Sequence, residues 1–167
     1  LSEPRLLIDI ARIPGLAGIH TKGDKVEIGA GTVHQDVASS TMLQQSCPMI
    51  AECAGDIGDP QVRNRGTLGG SLAHADPAAD WPLVLAALDA TVRVAGPAGR
   101  REVKADALMT APFTTQLRDD EIVESVRVPK LANGARWGCY KFWRKTGEFP
   151  DASAALLLDP QRRVARL

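Results

Sequence analysis

Residues Arg65 to Asp80 read R-G-T-L-G-G-S-L-A-H-A-D-P-A-A-D, and this stretch constrains the chain more than any other. Gly66, Gly69 and Gly70 bracket Thr67 and Leu68. Glycine has no Cβ, so its backbone turns sharply and comes close to a ligand. Exposed backbone N–H groups in such a turn form a concave anion site, and Thr67 and Ser71 add short hydroxyl donors. Asp80 stands ten residues after Gly70, where a carboxylate accepts sugar hydroxyls as the acidic residue of dinucleotide folds does. The layout suggests a grip for phosphate and ribose. It matches neither a Walker loop nor G-x-G-x-x-G. On spacing alone, two adjacent glycines more often mark a plain turn or bulge.

With 167 residues the chain suffices for one ordinary domain or two small lobes. Hydrophobic residues make up 44% and charged ones 24%, the balance of a soluble globule. Twenty basic and twenty acidic residues cancel, and no basic patch points to a nucleic-acid partner. No apolar run approaches the ~20 residues that span a bilayer, and no secretory signal is evident. The chain therefore reads as cytoplasmic. Cys47, Cys53 and Cys139 are far apart and form no C-x-x-C, so zinc or iron–sulfur ligation within the chain is not indicated; they read as reduced packing residues. Leu1 and Leu167 read as cut ends of a longer protein.

Along the chain, Leu6 to Ile10 reads as a short β run ended by Pro14-Gly15. Gly18–His20 and Lys25–Ile28 alternate around Gly23-Asp24 and predict a hairpin. Thr32 is placed to cap a helix through Val33, Val37 and Ala38. Pro48 to Ala54 predicts a second helix with proline in its first turn. Gly55 to Gly70 reads as one long loop, and such loops within compact domains are usually functional. Pro77 to Leu88 predicts a helix, Thr91–Val94 and Arg101–Val103 a pair of strands around Gly96-Pro97, and Ala105 to Met109 a brief helix. Glu121 to Val128 predicts a strand of imperfect alternation. Gly138–Arg144 reads as an aromatic strand, Ala154–Leu158 as another, and Val164 to Leu167 as its partner after the Asp159-Pro160 turn. Ala132-Asn133-Gly134-Ala135 is the candidate linker. Strands and helices mix without strict β-α-β alternation, so the fold class is α+β.

Several long motifs, in order, carry a family resemblance: Ile57-Gly58-Asp59-Pro60-Gln61-Val62-Arg63-Asn64-Arg65-Gly66-Thr67-Leu68-Gly69-Gly70-Ser71, then Ala75-Asp76-Pro77-Ala78-Ala79-Asp80, then Tyr140-Lys141-Phe142-Trp143-Arg144-Lys145-Thr146-Gly147-Glu148-Phe149. Leu7-Ile8-Asp9-Ile10 and Gly29-Ala30-Gly31-Thr32 fit the preceding segments. With these, the chain resembles the FAD-binding medium subunit of molybdenum hydroxylases, the xanthine dehydrogenase and aerobic carbon monoxide dehydrogenase family. The resemblance implies the second lobe of a vanillyl-alcohol-oxidase-like (PCMH-type) FAD-binding domain over residues 1–131, and the start of a C-terminal domain over 135–167. It implies an FAD-dependent oxidoreductase component. Electrons from a molybdopterin large subunit would pass the [2Fe–2S] clusters of an iron–sulfur small subunit to FAD, then to NAD, oxygen or another acceptor.

The resemblance also implies residue roles. Thr67, Leu68, Gly69 and Gly70 stand where backbone amides grip the pyrophosphate, with Ser71 as a further donor. Asp80 stands where a carboxylate meets the flavin's sugar part, and Ile57 where an apolar residue flanks the cofactor. Ile122 and Val123 match the strand under the isoalloxazine. Lys141 matches a basic residue near the ring, where positive charge favours reduced, anionic flavin. Family members also carry an earlier A-G-G-T or A-G-G-H loop in an N-terminal lobe, and this chain starts after it.

Two other functions stay open beside this one. The chain could be a scaffold module for partner subunits that holds no flavin. Alternatively, His74, Asp76 and Asp80 spell H-x-D-x-x-x-D, a metal-hydrolase pattern that the scarcity of histidine disfavours. Read without the resemblance, Asp76 and Asp80 are helix-terminus acids, Lys141 is a solvated edge charge, and the aromatic residues around it are core or interface.

Overall fold

The computed structural model describes residues 4–167. Two antiparallel hairpins and a lone strand build its main sheet. Strands β1 (Ile19–Lys22) and β2 (Lys25–Gly29) pair around Gly23-Asp24 as the alternation predicts. Helices α1 (His34–Ser39), α2 (Thr41–Ser46), α3 (Pro48–Gly55), α4 (Pro60–Arg63), α5 (Leu68–His74) and α6 (Asp80–Ala87) follow. Then come β3 (Thr91–Gly96), β4 (Gly99–Lys104), α7 (Ala105–Leu108), the small β5 (Met109–Ala111) and β6 (Thr114–Thr115), and β7 (Ile122–Pro129). Strand β7 lies between β2 and β3, giving a five-stranded sheet in the order β1-β2-β7-β3-β4. Strands β8 (Arg136–Phe142), β9 (Ala152–Asp159) and β10 (Val164–Arg166) form a second sheet.

Period-two alternation decides the faces of the main sheet. Val26, Ile28, Val92, Val94, Val103, Val126 and Val128 are buried under the helices together with Leu43, Met49, Ile50, Leu68, Trp81 and Leu85. The opposite face carries an ion-pair lattice. Glu27 accepts from Arg127 at 2.7 Å and from Lys22 at 3.1 Å, Arg127 reaches Glu102 at 2.6 Å, and Arg93 lies 3.4 Å from Glu27 and 3.5 Å from Glu124. Ala155 and Leu157 of the second sheet join the same core. Residues 132–135 form a turn between the two sheets. Among the described residues no helix is long and apolar enough to cross a membrane.

Several expectations change. Leu6 to Ile10 forms no strand and is exposed, because no neighbouring strand offers it a ladder. Thr32 does not cap α1. Its hydroxyl instead accepts from Gly18 N at 2.9 Å and donates to Gly18 O at 3.2 Å, pinning the chain before β1. Helix α2 has no counterpart in the sequence reading; Ser40 caps it, accepting from Leu43 N. Residues 77–79 precede α6 as a turn in which Asp76 accepts from Ala78 N at 2.9 Å. The imperfect alternation of β7 is a bulge. Arg93 faces Ser125 and Val94 faces Val123, so Glu124 is the extra residue and both Val123 and Val126 point to the core.

Candidate functional site

Residues 55–70 are not one loop. Asp59 caps α4, accepting from Val62 N at 2.8 Å. Thr67 is the N-cap of α5, with extended backbone, and its Oγ1 accepts from Gly70 N at 3.1 Å. The other amides at this terminus are also engaged. Leu68 N donates to Thr32 O at 3.1 Å, Gly69 N to Ala30 O at 2.8 Å, and Ser71 N to Thr67 O at 3.0 Å. The first N–H groups of a helix lack partners within it. Here the Ala30–Thr32 turn and the cap supply them, so the expected outward nest is a satisfied helix start.

The two glycines serve different ends. A Cβ on Gly69 would overlap Ala30 Cβ and lie 2.9 Å from Ala30 O, so only glycine lets α5 lie against the end of β2. A Cβ on Gly70 would meet only Thr67 Oγ1, at 2.8 Å, and otherwise faces open space.

That open space is a cavity of about 390 Å³. Thr67, Gly69, Gly70 and Gly31 line one side. Ile122, Val123 and Leu117 line another, and Ile8 and Ile10 form a third wall. The bulge in β7 sits at its rim and is tied to α5 through one residue: Ala30 N donates to Glu124 O at 3.0 Å while Ala30 O accepts from Gly69 N. Glu121 brings a carboxylate to the rim. Both its oxygens meet Arg101 at 2.8 Å, and these bonds hold its carboxyl low, at about 2. The cavity is therefore mainly apolar, with glycine backbone and the Thr67 hydroxyl on one side. Its size lies within the usual range for small-molecule pockets, about 300–1,000 Å³.

Asp80 and Lys141 meet elsewhere. Lys141 Nζ donates to Asp80 Oδ2 at 2.9 Å and to Asp56 O at 3.2 Å. Their side chains are 8% and 11% exposed, Lys141 first. Burial pushes the Asp80 carboxyl above its ordinary value, with Lys141 pulling the other way. Lys141 also lies 5.7 Å from the Trp143 ring centroid. Cys53 and Cys139 border the same small void, of about 30 Å³. Burial pushes the Cys139 thiol up to about 11 and raises Cys53 well above its usual value, so both stay protonated packing groups. Ile57 is half-buried against the core, and its carbonyl accepts from Arg63 at 3.0 Å.

The structure thus sorts the ten expected residues. Thr67, Gly69, Gly70, Ile122 and Val123 share the apolar cavity. Asp80 and Lys141 neutralise each other at the second locus and do not line that cavity. Leu68 is fully buried in the core, and Ile57 and Ser71 are half-buried outside the lining. His74 packs against Phe113 with ring centroids 5.3 Å apart, and among the described residues no three His, Cys, Asp or Glu side chains gather as a metal site.

Sequence reasoning missed His34. It is 4% exposed, and its Nδ1 accepts from Trp81 Nε1 at 3.3 Å. Burial pulls its pKa down to about 4, so it is neutral at pH 7. It also missed Ala30 and Gly31 as lining residues, although Gly29-Ala30-Gly31 was a visible signal for close backbone approach.

Comparison with known proteins gives a consistent result. The model of the family described as "FAD binding domain in molybdopterin dehydrogenase" matches residues 1–131. The carbon monoxide dehydrogenase medium chain of Hydrogenophaga pseudoflava is 44% identical over 157 residues, covering 94% of this chain and 55% of the relative. The nicotine 6-hydroxylase medium subunit of Paenarthrobacter nicotinovorans is 42% identical over 158 residues, covering 95% and 55%. The solved carbon monoxide dehydrogenase from H. pseudoflava lacking the Mo-pyranopterin moiety superposes with a TM-score of 0.91 at 45% identity, covering 93% of this chain and 54% of that one. The chain spans about half the length of the curated relatives it matches.

Proposed function

The chain belongs to the family of FAD-binding domains of molybdopterin dehydrogenases, and on that premise we propose that it is the flavin-holding part of the electron-transfer subunit of a molybdenum hydroxylase. Residues 1–131 would form the FAD-binding unit and 135–167 the start of a C-terminal one. The observation that carries this reading is the cavity in which Thr67, Gly69 and Gly70 face Ile122 and Val123.

The lining suits part of a flavin nucleotide. Ile122, Val123 and Leu117 offer an apolar wall for a flat ring. Gly70 lets the main chain approach a phosphate closely. With the amides of Leu68 to Ser71 already engaged, the Thr67 hydroxyl is the group left to meet negative charge. Leu68 and Ser71 act by forming the helix that presents Thr67 and Gly70. Asp80 and Lys141 fix the junction of α3, α6 and β8; a sugar contact for Asp80 and a ring contact for Lys141 would require their pair to open. Bound FAD would supply the redox chemistry, and the protein would hold and orient it. The subunit would take electrons from an iron–sulfur small subunit served by a molybdopterin large subunit, and pass them to an acceptor.

A second reading, a scaffold module without flavin, gains from the same engaged amides, since they weaken the phosphate grip that the sequence suggests. Titration of FAD with the purified chain decides between them. Saturable quenching of flavin fluorescence supports flavin binding. Free FAD at all protein concentrations supports the scaffold.

A further inference from the structure

The helix start that borders the cavity is braced from behind by one buried side chain. His34 N donates to Gly66 O at 2.9 Å, and Leu68 N returns a bond to Thr32 O, so Val33 and Thr67 pair as an isolated antiparallel bridge. The His34 ring lies directly against Gly66: a Cβ there would sit 2.9 Å from both Cδ2 and Nε2. On its other side the ring accepts the Trp81 indole N–H, with ring centroids 5.7 Å apart and planes tilted by 46°. Trp81 is fully buried and follows Asp80 at the start of α6. One contiguous line of contacts therefore runs from the Lys141–Asp80 pair through Trp81 and His34 to Gly66 and Thr67.

We propose that His34 is a positioning residue for the cavity. By accepting from Trp81 while packing on Gly66, it fixes the angle at which Thr67 caps α5, and so the placement of the Thr67 hydroxyl and of Gly70. It touches no ligand itself; its effect on flavin binding rests on the flavin reading above. The chemical requirement is an acceptor at the Nδ1 position. A buried indole N–H left without one carries the full cost of desolvation. The neutral state of His34 at pH 7 fits this role, because the protonated ring has no acceptor.

Two substitutions separate this role from simple space filling. His34→Leu fills the ring's place but gives Trp81 no acceptor. His34→Asn fills less space but offers Oδ1 where Nδ1 stood. Amide hydrogen exchange in the chain reads the brace directly and needs no ligand. Leucine should speed exchange at Leu68, Gly69 and Gly70 by about tenfold or more, while asparagine stays near the wild-type rate. Amides of the β3–β4 hairpin should not share this local change. Unchanged exchange in His34→Leu, or equal acceleration in both variants, overturns the proposal. FAD titration of the same proteins is the second readout. Weaker binding in the leucine variant, rescued by asparagine, supports positioning; a wild-type chain that does bind FAD, but no more tightly than His34→Leu, refutes it. A wild-type chain that takes up no FAD refutes the flavin reading, and the exchange result then decides the role of His34 alone.

Discussion

Gly69 donates its amide to the Ala30 carbonyl at 2.8 Å, and no side chain at position 69 is compatible with that approach, because a Cβ would overlap Ala30's own methyl. The contact fastens α5 to the end of β2 and, through Ala30 N, to the bulge of β7. Gly69→Ala should therefore act on stability first. Overpacking against backbone costs about 1–3 kcal/mol, to be seen as a lowered urea midpoint with unchanged slope. Gly70→Ala should leave stability within about 1 kcal/mol of wild type, since helix propensity gained offsets a strained cap. It should nevertheless weaken FAD binding, because its methyl enters the cavity. Equal loss of stability in both variants would contradict this division.

Thr67 caps α5 through its hydroxyl. Thr67→Ala should cost about 1 kcal/mol, within the usual range for a lost cap, and Thr67→Ser should retain most of it. Thermal unfolding of the two variants checks the order.

The Asp80–Lys141 pair lies where water hardly reaches. Removing one partner strands the other's charge, which costs about 3 kcal/mol when a pair is buried. Lys141→Met should thus destabilise the chain and push the Asp80 carboxyl further above its ordinary value. The double variant Asp80→Leu, Lys141→Met should recover part of the loss. A double-mutant cycle in urea measures the coupling, and strict additivity would rule the pair out as a stabilising contact.

Acid should act in two stages. The unfolded chain protonates His34 near pH 6.5, the folded chain only near 4. Between these values the unfolded state binds more protons, so stability falls as pH drops through that window. Below it comes Glu27, whose carboxyl is held at about 2: burial opposes this, but Arg127 and Lys22 outweigh it. Its contribution is present above pH 4.5 and is lost as pH falls towards 2. Unfolding free energies measured from pH 8 to 3 should show the first window vanish in His34→Asn and the second remain.

The hairpin at Gly23-Asp24 and helix α3 behind Pro48 were legible because turn and cap residues act locally. The main sheet's faces were legible wherever alternation held. Strand β7 broke the pattern because a bulge at Glu124 depends on its pairing with β3, which no local signal encodes. Leu6 to Ile10 has strand-like composition, yet a strand also needs a neighbour. At the site, the glycines of Thr67–Gly70 were visible and their conformation was not. Whether such glycines open a nest or start a helix is decided by Ala30 and Thr32, more than thirty residues away in sequence. The Asp80–Lys141 contact joins residues 61 apart, and no local signal in the sequence pairs them.

Crystals of the chain soaked with FAD test the central claim most directly. Flavin density against Ile122 and Val123, with a phosphate within reach of the Thr67 hydroxyl and Gly70, is the predicted result. A well-ordered chain whose cavity stays without flavin density, at FAD concentrations that saturate fluorescence quenching, would contradict it.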